Sequence, residues 1–138
     1  MTLSNIIVVS GGFDPLHRGH TRMIRAAGAF APVVVVLNSD DWLQRKKGYV
    51  FMPFEERKEI IESIIGVKEV VSVDDSDNTV CEAIRRLRPA MFGNGGDRIF
   101  GNTPEQETCQ DLGVELVWGL GRGGKIQSSS KLVKNAVL

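Results

Sequence analysis

A chain of 138 residues, 42% of them hydrophobic, can bury one sizeable core but is too short for two full domains, so the expectation is a single domain over residues 1–138. Its 17 basic and 17 acidic residues cancel, which excludes the broad positive footprint of a nucleic-acid binder. The N-terminus has no basic flank or cleavage site and no apolar segment is long enough to span a bilayer, so a cytoplasmic protein without a membrane role is expected.

The apolar run Ile6-Ile7-Val8-Val9 predicts a first strand over residues 5–10, and helical spacing follows over 19–30. Residues 32–38 contain four consecutive valines and read as a strand buried on both faces, as in a parallel sheet. The polar stretch 38–48 reads as a loop. Pro53 marks a first helical turn, with helical spacing over 54–65, and residues 69–73 form a third strand. Asn78 is expected to cap a helix ending at Leu87, before Pro89. A short strand over 90–93, a helix over 103–112 closed by Gly113, a strand over 114–118 and a final helix over 128–137 complete the chain. Cys81 and Cys109 lack CxxC spacing and fall in helices, which reads as two buried free thiols.

Strands alternating with helices imply right-handed βαβ units. The expected fold is therefore α/β, a single doubly wound Rossmann-like domain with a five-stranded parallel sheet. Ligands in such sheets bind beyond the carboxyl ends of the strands, at the point where strand order reverses. The segment Gly11-Gly12-Phe13-Asp14-Pro15-Leu16-His17-Arg18-Gly19-His20 falls at that point, between the first strand and the first helix. Glycines let the backbone approach an anion, and a helix start offers unpaired N–H donors with the positive dipole end. His17 and His20, three residues apart, can address the same phosphate.

This pattern, G-x-F-D-x-x-H-x-G-H, resembles the signature of the nucleotidylyltransferase superfamily, the small α/β enzymes related to the HIGH-type aminoacyl-tRNA synthetases. Three further clusters follow in family order. The basic run Arg45-Lys46-Lys47-Gly48 reads as a solvated face on composition alone; the resemblance to glycerol-3-phosphate cytidylyltransferases and heptose-phosphate adenylyltransferases makes Lys47, then Lys46, a phosphate ligand. The family's E-x-R pattern recurs as Glu55-Glu56-Arg57, where Arg57 either reaches the site or salt-bridges locally. The segment Gly95-Gly96-Asp97 is similar to the family's G-G-D, with Arg98 in place of the usual aromatic residue. The run Gln127-Ser128-Ser129-Ser130, preceded by Arg122, resembles the segment that holds the triphosphate.

The resemblance implies direct nucleotidyl transfer, as in a cytidylyltransferase, from CTP, with ATP the alternative donor, to a small phosphorylated acceptor such as glycerol-3-phosphate. An adenylyltransferase acting on a heptose or other sugar phosphate or on a mononucleotide is the alternative, and a nucleotide-sensing module without catalysis is the reading of a different class. His17, His20 and Lys47 are its expected catalytic residues. Gly11, Gly12, Phe13, Asp14, Gly19, Gly95, Gly96, Asp97 and residues 127–130 are expected to bind nucleotide. Lys46, Arg57, Arg98 and Arg122 are expected at the phosphates. Magnesium (Mg2+) is implied as cofactor, held mainly by the phosphates, with Asp14 a candidate ligand. Members of the family often form homodimers, for which Trp42 and Phe51 are apolar candidates.

Overall fold

The computed structural model describes residues 2–95 and 103–121. Strand β1 (Ser4–Gly11) carries Ile7, Val8 and Val9, all without exposed surface. Strand β2 (Val33–Leu37) runs parallel beside it, with Ile7 opposite Val33 and Gly11 opposite Leu37. Strand β3 (Val67–Val71) flanks β2, β4 (Pro89–Gly95) flanks β1 on its other side, and β5 (Glu115–Leu120) flanks β4. The order is β3-β2-β1-β4-β5 with every pairing parallel, the five-stranded doubly wound sheet that the alternation of elements implies.

Five described helices connect the strands: α1 (Arg18–Gly28), α2 (Asp40–Lys47), α3 (Phe54–Glu62), α4 (Cys81–Leu87) and α5 (Pro104–Leu112). Side chains of a strand alternate between faces, so consecutive apolar residues feed two cores. Ile7, Val9, Val33 and Val35 pack with Ile24 and Ala27 of α1 and Ile61 of α3. Val8, Val34 and Val36 pack on the opposite face with Ala83 and Ile84 of α4 and Cys109 of α5. Each fully buried Val or Ile contributes about 1.5–3 kcal/mol of transfer free energy. The four-valine run is therefore the centre of the molecule. Both cysteines are buried and free.

Three elements differ from expectation. Residues 40–47 form helix α2 rather than a loop: Ser39 caps it by accepting from the Trp42 N–H at 3.0 Å, and Gly48 closes it at φ 82°. Asp40 and Asp41 in its first turn and Arg45, Lys46 and Lys47 in its last complement the helix dipole. Only Leu43 of this helix is buried, so it carries no apolar period to announce it. Helix α4 begins at Cys81, and Asn78 lies outside it at φ 66°. Thr79 Oγ1 accepts the Cys81 N–H instead, while Asn78 Oδ1 accepts from Arg45. Helix α3 stops at Glu62, which lets β3 start at Val67, two residues early. The expected helix over 128–137 lies outside the described residues.

Candidate active site

Strand β1 has β2 on one side and β4 on the other, so the turn leaving it occupies the point where strand order reverses. Phe13 takes a left-handed backbone (φ 50°) and is buried at 4% exposure. A non-glycine residue in that region costs of order 1–3 kcal/mol and persists only where the surroundings hold it. Gly12 is required for close packing: a Cβ there would lie 2.9 Å from Leu43 and 3.2 Å from Trp42, so helix α2 is docked directly against the turn.

The two histidines form the start of α1. His17 is the N-cap residue, and its Nδ1 accepts the Gly19 N–H at 3.1 Å. Nδ1 of His20 in turn accepts the His17 N–H at 3.2 Å. The rings stack, centroids 3.8 Å apart with 22° between planes, and Phe13 meets His20 edge-on at 4.8 Å. These bonds assign each ring's proton to Nε2, making each a hydrogen-bond donor. Burial, with His17 and Lys47 nearby, lowers the His20 pKa from 6.5 to about 3. His20 is thus a neutral donor at physiological pH.

Lys47, in the last turn of α2, donates from Nζ to the Asp14 carbonyl at 3.1 Å. Desolvation holds its pKa below the usual lysine value against the opposing pull of Asp14, with Lys46 and Arg57 adding to the depression. Asp14 is fully buried and gives both carboxylate oxygens to the chain: Oδ2 accepts from Phe51 N–H at 2.7 Å and Oδ1 from Met52 N–H at 2.6 Å. Arg57 is placed otherwise than as a phosphate ligand. Its side chain has no exposed surface, and it donates to the carbonyls of Gly12 (2.8 Å), Asn38 (2.9 Å) and Met52 (2.8 Å) and to Asp40 (2.6 Å). It ties the ends of β1 and β2 to α2 from behind the site.

The two lysines diverge, because adjacent residues on a helix point about 100° apart. Lys47 turns to Asp14, whereas Lys46 lies over the Trp42 ring, Nζ 5.0 Å from its centroid. Both Trp42 and Lys46 line a cavity of about 340 Å³ beside Gly11, between the ends of β1 and β4. Trp42, an apolar candidate for a subunit contact, lines this cavity, and Phe51 is 52% exposed. Asn38, Asn78 and Asn94 also line it; on sequence Asn38 and Asn94 stand within the clusters after the second and fourth strands, with no role of their own, and Asn78 stands as a helix cap. Asn38 directly follows β2, Asn94 is the last residue but one of β4, and Asn78 lies in the turn before α4.

Gly95 ends β4 against Met23 of α1. Gly96, Asp97, Arg98, Arg122, Gln127, Ser128, Ser129 and Ser130 lie outside the described residues. Among the described residues no group of three His, Cys, Asp or Glu side chains could hold a metal ion, and both oxygens of Asp14 already accept from backbone N–H groups. The described residues therefore do not form a magnesium cage. Nor is any described helix long and apolar enough to cross a membrane.

A parallel 3-2-1-4-5 sheet with a histidine-capped helix at its switch point defines a nucleotide-binding α/β protein, and the comparisons with known proteins agree. Residues 8–122 match the family described as cytidylyltransferase-like, and the chain belongs to that family. It is 33% identical over 117 residues to the bifunctional protein HldE of Geobacter sulfurreducens, covering 81% of this chain and 24% of that protein. The chain thus spans about a quarter of the length of that relative. It is 28% identical over 112 residues to the FAD synthase of Pyrococcus abyssi, covering 80% of this chain and 75% of that one. A lipopolysaccharide core biosynthesis protein from Thermoplasma volcanium has the same fold, with a TM-score of 0.69 at 21% identity over 89% of this chain and 98% of that one.

Proposed function

We propose that the chain is a nucleotidyltransferase that joins a nucleoside monophosphate from a nucleoside triphosphate to a small phosphorylated acceptor. A phosphate oxygen of the acceptor bonds to the α-phosphorus, the bond from that phosphorus to the bridging oxygen breaks, and pyrophosphate leaves. The attacking phosphate is already ionised, so no side chain has to act as base; positioning and charge stabilisation supply the rate. The observation that carries this reading is the reciprocal cap of His17 and His20, which presents two Nε2 donors at a helix N-terminus beside Lys47.

In this reading the histidines hold the α- and β-phosphate oxygens, and Lys47 offsets the charge between donor and acceptor phosphates. Gly11, Gly12, Gly19, Gly95, Gly96 and Asp97 border the nucleotide, and Gln127, Ser128, Ser129 and Ser130 take the leaving pyrophosphate. Arg98, Arg122 and Lys46 serve the other phosphate groups. Magnesium would arrive with the triphosphate. ATP is the preferred donor, because the product that names the FAD synthase relatives is an adenine dinucleotide. CTP is the second reading, favoured by the family description and by the Lys46-Lys47-Gly48-Tyr49 sequence. A cytoplasmic homodimer is the proposed setting.

The test is pyrophosphate release in magnesium buffer, with ATP and CTP each crossed against glycerol-3-phosphate, sugar phosphates and mononucleotides. Release with one pair, lost in His17→Asn, supports the reading. Nucleotide binding without release across the grid would replace it with a sensor.

A further inference from the structure

The segment between β3 and α4 carries Asp74, Asp75 and Asp77, and the fold uses them differently. Asp74 and Asp77 are exposed and accept from their own turns, at Ser76 and Thr79. Asp75 is 4% exposed and reaches back to the corner where β2 passes into α2. Its Oδ2 accepts from Asn38 Nδ2 at 3.0 Å and from the Ser39 N–H at 2.8 Å, and its Oδ1 accepts from the Ser39 hydroxyl at 2.7 Å. Among the described residues this carboxylate forms no ion pair. Burying a charge without a cation is costly, so these neutral donors are what hold it.

Through these bonds Asp75 governs two groups at the site. An ionised carboxylate only accepts, so the Asn38 amide has to turn its NH2 to Asp75. The Asn38 Oδ1, which has no partner among the described residues, is then the polar atom this side chain has left for the cavity it lines. Ser39, its hydroxyl hydrogen committed to Asp75, caps α2 by accepting from Trp42. The other end of the helix is tied to the same residue: Arg45 donates to the Asp75 carbonyl at 2.8 Å and to Asn78 Oδ1 at 3.2 Å. A helix of 8 residues is about 12 Å long, so a tilt of about 5° at the cap moves its last turn by about 1 Å. That turn holds Lys47 at Asp14. Misplacing a catalytic group by about 1 Å can cost about a hundredfold in rate.

We propose that Asp75 is a positioning residue of the transfer site: without touching a ligand, it orients the Asn38 carboxamide at the cavity wall and sets the tilt of α2 that keeps Lys47 beside the histidines. The proposal rests on the nucleotidyl-transfer reading above. Asparagine can replace Asp75, because its amide oxygen accepts from Asn38 and from the Ser39 N–H while its NH2 donates to the Ser39 hydroxyl oxygen. Alanine offers neither group.

NMR of the intact chain carrying 13C-labelled lysine, with the Lys47 signal assigned from Lys47→Gln, tests this without need of turnover. In the parent, burial holds the Lys47 titration below the ordinary lysine value, with Asp14 opposing and Lys46 and Arg57 adding to the depression. In Asp75→Ala the titration is expected to move up toward the ordinary value as α2 loosens and Lys47 meets water, and in Asp75→Asn to stay with the parent. Arg45 is exposed, so Arg45→Gln folds even where Asp75→Ala does not, and a smaller upward movement is expected there. For any donor and acceptor pair that releases pyrophosphate, kcat should fall about tenfold or more in Asp75→Ala and recover in Asp75→Asn. ATP affinity by calorimetry should stay within a few-fold of the parent, a separation that general loss of folded protein would not produce. An unmoved Lys47 titration in both Asp75→Ala and Arg45→Gln, or Asp75→Asn as impaired as Asp75→Ala, would overturn the proposal. Lys47 moving as expected while no pair releases pyrophosphate would sink the transfer reading and leave Asp75 as the residue that positions α2.

Discussion

His17 and His20 hold each other's backbone. The Nδ1 of His20 accepts the His17 N–H, while His17 caps the helix through Gly19, so the two stacked rings share one orientation. A cap does not require imidazole, because asparagine serves as well. His17→Asn is therefore expected to keep thermal stability within about 1 kcal/mol of the parent. Turnover should fall about a hundredfold or more, the scale for losing one preorganised donor. Parallel melting curves and pyrophosphate assays check both halves, and turnover within a few-fold of the parent would remove His17 from the site.

His20 makes stability depend on pH. The unfolded chain takes a proton on this ring below about 6.5, whereas the folded protein refuses it until about 3. Stability tied to the neutral ring is present above pH 6.5 and is lost as the pH falls toward 3, by up to ~1.4 kcal/mol per unit. Glutamine at the third helical position preserves the reciprocal cap without a titrating group. Urea midpoints at pH 7, 6 and 5 should therefore converge between His20→Gln and the parent as the pH drops. A constant difference between the two would contradict the depressed pKa.

Lys46 and Lys47 should separate in kinetics. Lys47→Gln removes the cation beside the histidines and is expected to lower kcat about a hundredfold. Lys46→Gln acts in the cavity, so its effect should be a KM for acceptor raised about tenfold at nearly constant kcat. Because burial depresses the Lys47 pKa, the alkaline limb of the parent's kcat profile should start below the usual lysine range. Identical kinetic signatures for the two variants would contradict the divergence seen at Asp14 and Trp42.

Arg57→Met leaves the carbonyls of Gly12, Asn38 and Met52 without their donor and Asp40 without its partner. Removing one side of such a buried arrangement costs about 3–5 kcal/mol. Chemical denaturation should show that loss whether or not substrate is present. A variant of parental stability with raised phosphate KM would return Arg57 to the role its sequence pattern suggested.

Burial pushes the Cys109 thiol up to about 12, so no appreciable thiolate exists at neutral pH. A disulfide reagent should label neither Cys109 nor buried Cys81 in the native state on the time scale of minutes, and both after unfolding in urea. Rapid native labelling would mean that α4 and α5 open readily.

Much of this architecture is local in origin. The alternation of Ile7, Val8 and Val9 and the valines of β2 specify strands fed by two cores, and Pro104 with Thr103 and Gly113 delimits α5 from its own residues. The histidine turn is legible for the same reason, since its caps and glycines act within a few residues. Helix α2 escaped because its signals are electrostatic ends, Ser39-Asp40-Asp41 and Arg45-Lys46-Lys47-Gly48, around a single buried leucine. Roles that depend on direction were illegible. Asp14 as the clamp on Phe51 and Met52, Arg57 as a buried tie 45 residues from Gly12, and the parting of Lys46 from Lys47 all arise when α2 and α3 dock on the sheet. A residue's type and spacing state what it can bond, but only the packed chain selects the partner, because distant donors and acceptors compete for the same buried groups.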